Sequence, residues 1–128
     1  MSYYFNKVVD MPFDKAIDRV TEELKKEGFG VLSEIDVTGA LNKKLNIDFR
    51  KYRILGACNP KFAYEALLKE DKIGTMLPCN VIVQQVADGK VEVAAIDPVA
   101  SMQAVKNEDL GKTASQVRSK LKKVIENT

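Results

Sequence analysis

The stretch Val81-Ile82-Val83-Gln84-Gln85-Val86-Ala87-Asp88-Gly89-Lys90-Val91-Glu92-Val93-Ala94-Ala95-Ile96 decides the fold class. Two runs rich in β-branched residues flank an Asp-Gly pair, which tolerates the positive φ angles of a type I′ turn and therefore predicts a tight hairpin. With a two-residue loop, Val86 opposes Val91 and Gln84 opposes Val93. The continuous apolar run 81–83 further indicates a strand that is covered on both faces, either by helices or by another subunit.

Helical periodicity appears on both sides of this hairpin. Gly28 can adopt the left-handed backbone conformation that ends the first helix. Asp36 or Thr38 can cap a short second helix. The stripe of the first helix contains Phe13, Ala16, Ile17, Val20 and Leu24. The stripe of a long terminal helix contains Leu110, Ala114, Val117, Leu121, Val124 and Ile125. Each stripe predicts a helix that packs one face against the core.

Extended segments separate these helices at about 3–9, 29–36 and 52–57. The last of them runs into Cys58-Asn59-Pro60, where Asn59 suits the N-cap of another helix and Pro60 its first turn. Ala63, Ala66 and Leu67 are expected to face the core from that helix. The sequence therefore predicts a single α+β domain over 1–128, with the order β-α-β-α-β-α-β-β-α. In this predicted domain, helices pack against a mixed or mainly antiparallel sheet, whose strand order the sequence leaves open.

The composition and charge of the chain indicate which partners and location to expect. Of the residues, 45% are hydrophobic and 30% are charged, which is typical of a globular protein. The net charge of +2 creates no broad field to attract nucleic acid or an acidic membrane, and neither is expected as a partner. Neither a leader pattern nor an apolar stretch of about 18 residues is visible, so a cytoplasmic location is expected.

The absence of histidine excludes the commonest general base near neutral pH and the commonest metal ligand. The two cysteines, Cys58 and Cys79, are read as free thiols, because a cytosolic chain with a core of this size needs no disulfide. Two thiols without histidine do not complete a tetrahedral metal site within one chain. No metal and no cofactor are therefore expected.

Two strings repeat a Cys-Asn pair at a predicted strand end: Leu55-Gly56-Ala57-Cys58-Asn59-Pro60 and Leu77-Pro78-Cys79-Asn80-Val81. With the Asp-Gly hairpin that leads to Asp97-Pro98, they resemble the domain-of-unknown-function 302 family over essentially the whole chain. The resemblance implies a small bacterial or archaeal α+β protein that usually associates as a homodimer. It implies no established activity.

These strings supply the candidate site residues Cys58, Asn59, Cys79 and Asn80, and Asp97 at the end of the hairpin is the fifth candidate. Cys58 precedes a helix amino end, where free amide groups and the helix dipole stabilise a thiolate. If the two strand ends converge, the side chains form a small pocket for an anion or another small ligand. Each residue also has a purely structural interpretation: packing for the cysteines, capping for Asn59, and a turn for Asp97.

Three functions follow from these residues. The preferred one is a homodimeric small-ligand or anion-binding accessory module. The first alternative is a thiol-dependent enzyme or redox protein that uses Cys58, which requires an exposed sulfur with a low pKa. The second alternative is a structural or interaction module whose function lies in its surface. The basic run Arg118, Lys120, Lys122 and Lys123 is interpreted as a solvated helix face.

Overall fold

The computed structural model describes residues 2–128, whose strands form one five-stranded antiparallel sheet in the order β1-β5-β4-β3-β2. The strands are β1 (Tyr4–Val9), β2 (Gly30–Asp36), β3 (Tyr52–Cys58), β4 (Cys79–Ala87) and β5 (Lys90–Ile96). All four neighbouring pairs are antiparallel. The predicted α+β class is confirmed, and the sheet is wholly antiparallel.

The helices follow the predicted order. They are α1 (Phe13–Lys26), α2 (Val37–Leu45), α3 (Pro60–Lys69), α4 (Pro98–Ser101) and α5 (Asp109–Asn127), with a 3₁₀ helix at Asp71–Met76. Gly28 has φ +85° just beyond the end of α1, as the stop signal predicts. Asp36 caps α2, because its side chain accepts a hydrogen bond from the Gly39 amide at 3.1 Å. The sequence pattern did not predict α4 or the 3₁₀ helix.

One face of the sheet carries the core. Alternate residues of the central strands point to this face, where they pack against α1 and α5. The stripe of α5 is buried as predicted, and Ala16, Val20 and Leu24 of α1 are fully buried. The sheet contributes Val9, Leu55, Ala57, Cys79, Val81, Val83, Val91, Val93 and Ala95 to this core.

The opposite face, called the open face below, is covered by neither α1 nor α5. Its residues by register are Tyr4, Asn6, Val8, Ser33, Ile35, Tyr52, Ile54, Gly56, Asn80, Ile82, Gln84, Glu92, Ala94 and Ile96. Except for Gly56 and Ala94, these residues are exposed or half-buried. Ile82 lies on this face, so α1 and α5 cover only one face of β4, and coverage of the other face by another subunit stays a prediction.

The hairpin forms, but its register differs from the predicted one. Gln85 opposes Val91 and Val83 opposes Val93, because a bulge at Val86 shifts the pairing by one residue. Gly89 has φ +70°, whereas Asp88 does not have a positive φ, so the turn is not type I′. The bulge keeps Val81 and Val83 on the core face, where both are fully buried.

One predicted core position on α3 is also wrong. Ala66 is buried, but Leu67 is 43% exposed and Leu68 is 70% exposed. This helix packs mainly against α5 and the 3₁₀ helix, so a narrower stripe than expected faces the protein.

Candidate functional site

A cavity of about 50 Å³ lies on the core side of the sheet where β3 ends and β4 begins. We call it the helix-side cavity. The walls come from the strand ends, α3 and α5, and from the segment around α4. Its lining residues are Phe29, Ala57, Cys58, Asn59, Phe62, Ala63, Ala66, Leu77, Pro78, Cys79, Pro98, Met102, Leu110, Thr113, Ala114 and Val117. Both cysteines and one of the two candidate asparagines therefore share one cavity.

The first Cys-Asn string enters the cavity at the end of β3. Cys58 is the last residue of this strand and is half-buried. Asn59 occupies the N-cap position of α3 as predicted, but its side chain makes no capping hydrogen bond. The Asn59 amide instead donates to the Glu27 carbonyl at 3.3 Å, beside the turn at Gly28. Asn59 therefore ties the end of α1 to the cavity wall, and the predicted side-chain cap is wrong.

The second string supplies Cys79, the first residue of β4, which lies directly opposite Ala57. Burial raises the pKa of the Cys79 thiol to about 11, and the nearby Cys58 adds to the rise. Both effects disfavour the negatively charged thiolate. Cys79 is therefore a neutral thiol at physiological pH.

Asn80 and Asp97 do not line the helix-side cavity, although each adjoins a residue that does. Asn80 is exposed on the open face, because it follows Cys79 in a regular strand. Asp97 is 3% exposed and accepts hydrogen bonds from the Val99 amide at 3.0 Å and from Arg118 Nε at 3.1 Å. Of the five candidates, the structure brings together Cys58, Asn59 and Cys79.

The chemistry of the helix-side cavity is that of an apolar site. Among the described residues that line it, none carries a charge, and the polar side chains are Asn59 and Thr113. Thr113 accepts a hydrogen bond from Lys69 Nζ at 3.1 Å. Such a wall favours an uncharged ligand, because an unpaired charge placed there would lose its hydration without compensation.

Several lining residues were not among the candidates. Phe62 and Met102 lie on the helical side, while Leu77 and Pro78 precede β4. Ala114 and Val117 were recognised as part of the α5 stripe, but not as cavity walls. No sequence signal shows which part of that stripe meets a strand end, because the contact depends on how α5 crosses the sheet.

A second concave surface of about 390 Å³ lies on the open face. A polar row crosses it, since Glu92 accepts hydrogen bonds from Asn6 at 2.9 Å and from Gln84 at 2.7 Å. Arg50 Nε donates to Gln84 Oε1 at 2.8 Å, which extends the row. The side chains beside the row include Tyr4, Tyr52, Ile82, Ala94 and Ile96. The polar groups of this row are thus already paired within the chain.

The fold and cavity define a class of small α+β protein with a helix layer on one face of an antiparallel sheet. The profile of the family described as "Domain of unknown function DUF302" matches residues 5–128, and the chain belongs to this family. A crystal structure of an uncharacterized conserved DUF302 protein from Bacillus stearothermophilus is similar, with a TM-score of 0.91 and 28% sequence identity. The alignment covers 99% of this chain and 98% of that one. None of the curated proteins matches the chain.

No helix within residues 2–128 has both the length and the apolar character that a membrane span requires. Over the same residues, His, Cys, Asp and Glu side chains form no group of three or more that could hold a metal ion.

Proposed function

We propose that the protein is a homodimeric binding module that takes a small, uncharged, mainly apolar ligand in the helix-side cavity. The observation that carries this proposal is the composition of the wall, in which Cys58, Asn59 and Cys79 are surrounded by apolar side chains. Ligand sites are commonly apolar concavities with a few convergent polar groups. The anion alternative has less support, because no cationic side chain stands among the described lining residues.

The cavity volume limits the ligand. An engineered apolar cavity of about 150 Å³ takes up benzene or xenon, and the helix-side cavity measures about 50 Å³. A xenon atom or a methyl-sized group suits the resting volume. A ring requires the wall to expand, and the flexible side chain of Met102 is the lining group best suited to move. The preferred ligand is therefore a small molecule or an apolar group at the end of a larger one.

Melting temperatures with benzene and with phosphate test the ligand class. At ten times its Kd, a ligand that binds only the native state adds about 1.4 kcal/mol, which raises the melting temperature by about 5 °C. We expect this rise with benzene and none with phosphate. Ala114→Leu fills the cavity and should abolish the response. Lys122→Ala, on the exposed face of α5, should keep it.

Ala114→Leu overpacks the core and should cost about 1–3 kcal/mol of unfolding free energy. Ala66→Val adds less volume and serves as a second variant in which the same cavity is filled. A rise with phosphate but not with benzene would favour an anion site and overturn the proposed ligand class. An equal benzene response in the wild type and both filled variants would place the ligand elsewhere.

The open face supports the homodimer. Five strands about 4.8 Å apart and about 20 Å long give a face of about 480 Å². Two such faces together bury about 1,000 Å², the lower limit for a specific interface. The polar row of Asn6, Gln84 and Glu92 is internally paired, so covering it leaves few polar groups without partners.

Sedimentation velocity over a range of concentrations tests this dimer. Ile82→Glu places a charge at the centre of the open face and should convert the dimer to a monomer. Leu68→Glu, at a 70% exposed site on α3, is the matched control and should leave the dimer intact. A wild-type monomer at tens of micromolar, or dissociation by Leu68→Glu alone, would contradict the proposed face.

The thiol-enzyme alternative has little support. Its candidate nucleophile, Cys58, lines an apolar cavity, and the sequence contains no histidine to act as a base for that thiol. We place the protein in the cytoplasm, because two free thiols suit a reducing compartment. Microscopy of a fluorescent fusion tests this location.

A further inference from the structure

The positions of Cys58 and Cys79 in the sheet suit a covalent link between them. Cys79 lies directly opposite Ala57, so Cys58 is one residue further along the neighbouring strand. Opposed residues of antiparallel strands are about 5 Å apart at Cα, and one step along a strand is about 3.4 Å. The Cα atoms of the two cysteines are thus separated by about 6 Å, within the range that a disulfide spans.

Both cysteines also line the same cavity. In a regular strand Cys58 and Ala57 would point to opposite faces, which would separate Cys58 from Cys79. Cys58, however, is the final residue of β3, where the chain turns into α3, and it lines the helix-side cavity together with Cys79. The influence of Cys58 on the pKa of Cys79 is a second sign that the two thiols are close.

The two thiols differ in accessibility. Cys58 is half-buried, whereas Cys79 is buried. A reagent from solution therefore reaches Cys58 first. Cys79 is placed to attack a group that is already attached to Cys58, which is the arrangement of a reactive and a resolving cysteine.

We propose that Cys58 and Cys79 form a reversible intramolecular disulfide by exchange with a low-molecular-weight disulfide. The Cys58 thiolate attacks one sulfur of this oxidant, forms a mixed disulfide and releases the first small thiol. The small fraction of Cys79 that has lost its proton to solvent then attacks the Cys58 sulfur and expels the second small thiol. The protein gives up two electrons and two protons, and the oxidant becomes two thiols. Excess small thiol reverses both steps.

The bridge would cross the wall of the helix-side cavity and reduce the space inside it. Thiol oxidation would therefore change the volume of the cavity directly. The disulfide does not depend on ligand binding, because it requires only the two sulfurs and the external reagent. Its test therefore reads the covalent state of the protein and not the occupancy of the cavity.

The test treats the reduced, native full chain with oxidised glutathione and follows the intact mass and the non-reduced tryptic peptides. Trypsin cuts after Arg53, Lys61, Lys72 and Lys90, so Cys58 and Cys79 fall in the separate peptides 54–61 and 73–90. We expect the intact mass of a single chain, not covalently linked to another, to fall by two hydrogens. We also expect these two peptides to be joined by a disulfide. Added dithiothreitol should restore both thiols.

Single-cysteine variants separate the two steps. Cys79→Ala should stop at a stable mixed disulfide on Cys58, and Cys58→Ala should not react while folded. Circular dichroism checks the fold of each, and Cys79→Val replaces Cys79→Ala if the latter fails to fold. A wild type that stops at the mixed disulfide, remains reduced, or joins the peptides only between two chains would overturn the proposal.

Discussion

Cys79 and Asn80 are adjacent in β4 but lie on opposite faces of the sheet, with Cys79 buried in the helix-side cavity and Asn80 exposed on the open face. The alternation of side chains along a strand causes this separation. The repeated Cys-Asn string therefore contributes to two different surfaces. A ligand in the helix-side cavity contacts the cysteine of the second string, but not its asparagine.

The first prediction concerns Asn80. We expect Asn80→Ala to leave the benzene-induced rise in melting temperature unchanged, because this side chain lies on the open face. A parallel titration of Asn59→Ala should weaken the rise, since Asn59 lines the cavity and holds the end of α1. Loss of the response in Asn80→Ala alone would place the ligand on the open face.

The second prediction concerns Asp97, whose carboxylate is buried and accepts from the Val99 amide and Arg118. Asp97→Ala removes the α4 cap and a charge-assisted hydrogen bond, and should cost about 2–4 kcal/mol of unfolding free energy. Asp97→Asn keeps an oxygen for the cap and should cost about 1 kcal/mol, because the Arg118 side chain is 41% exposed. Urea denaturation measures both values. Equal costs for the two variants would refute the capping role.

The third prediction concerns Gly56 in β3. A Cβ atom at this position would lie 2.2 Å from Ser33 Oγ and 2.8 Å from Pro78 Cγ. Gly56→Ala should therefore destabilise the protein by about 1–3 kcal/mol. Gly30→Ala is the control, because a Cβ there meets nothing within 4 Å. Urea denaturation that finds the two substitutions equally mild would contradict the close packing of β2, β3 and Pro78.

The fourth prediction follows from the pKa of Cys79, which burial raises to about 11. Between pH 9 and 11 the unfolded thiol ionises while the native thiol stays protonated, so stability falls as the pH rises. A shift of about two pKa units corresponds to at most about 3 kcal/mol. Because lysines titrate in the same range, the measurement is the difference in unfolding free energy between wild type and Cys79→Ala. A difference that does not change with pH would show that the Cys79 pKa is unperturbed.

Local patterns predicted most of the fold. The apolar stripe of α5 runs along one long helix, so its spacing alone identified the buried residues from Leu110 to Ile125. Gly28 and Asp36 mark helix boundaries through their own backbone and side-chain chemistry. The bulge at Val86 was missed, because the two-residue loop says nothing about an unpaired residue further along the strand. The single-turn helix α4 is too short to show periodicity.

The candidate site was only partly predictable. The Cys-Asn repeats identified Cys58, Asn59 and Cys79, and the pairing of β3 with β4 brings their ends together. Strand alternation applied to β4 would have separated Asn80 from Cys79. The contributions of Phe62, Met102 and Ala114 depend on how α3, α4 and α5 cross the sheet. No local pattern carries that information.

A crystal structure determined under xenon pressure is the most direct measurement of the proposed binding site. We predict a xenon atom in the helix-side cavity, between the side chains of Phe62, Cys79 and Val117, and none at that position in Ala114→Leu. A wild-type cavity that stays empty while xenon binds on the open face would contradict the proposed site.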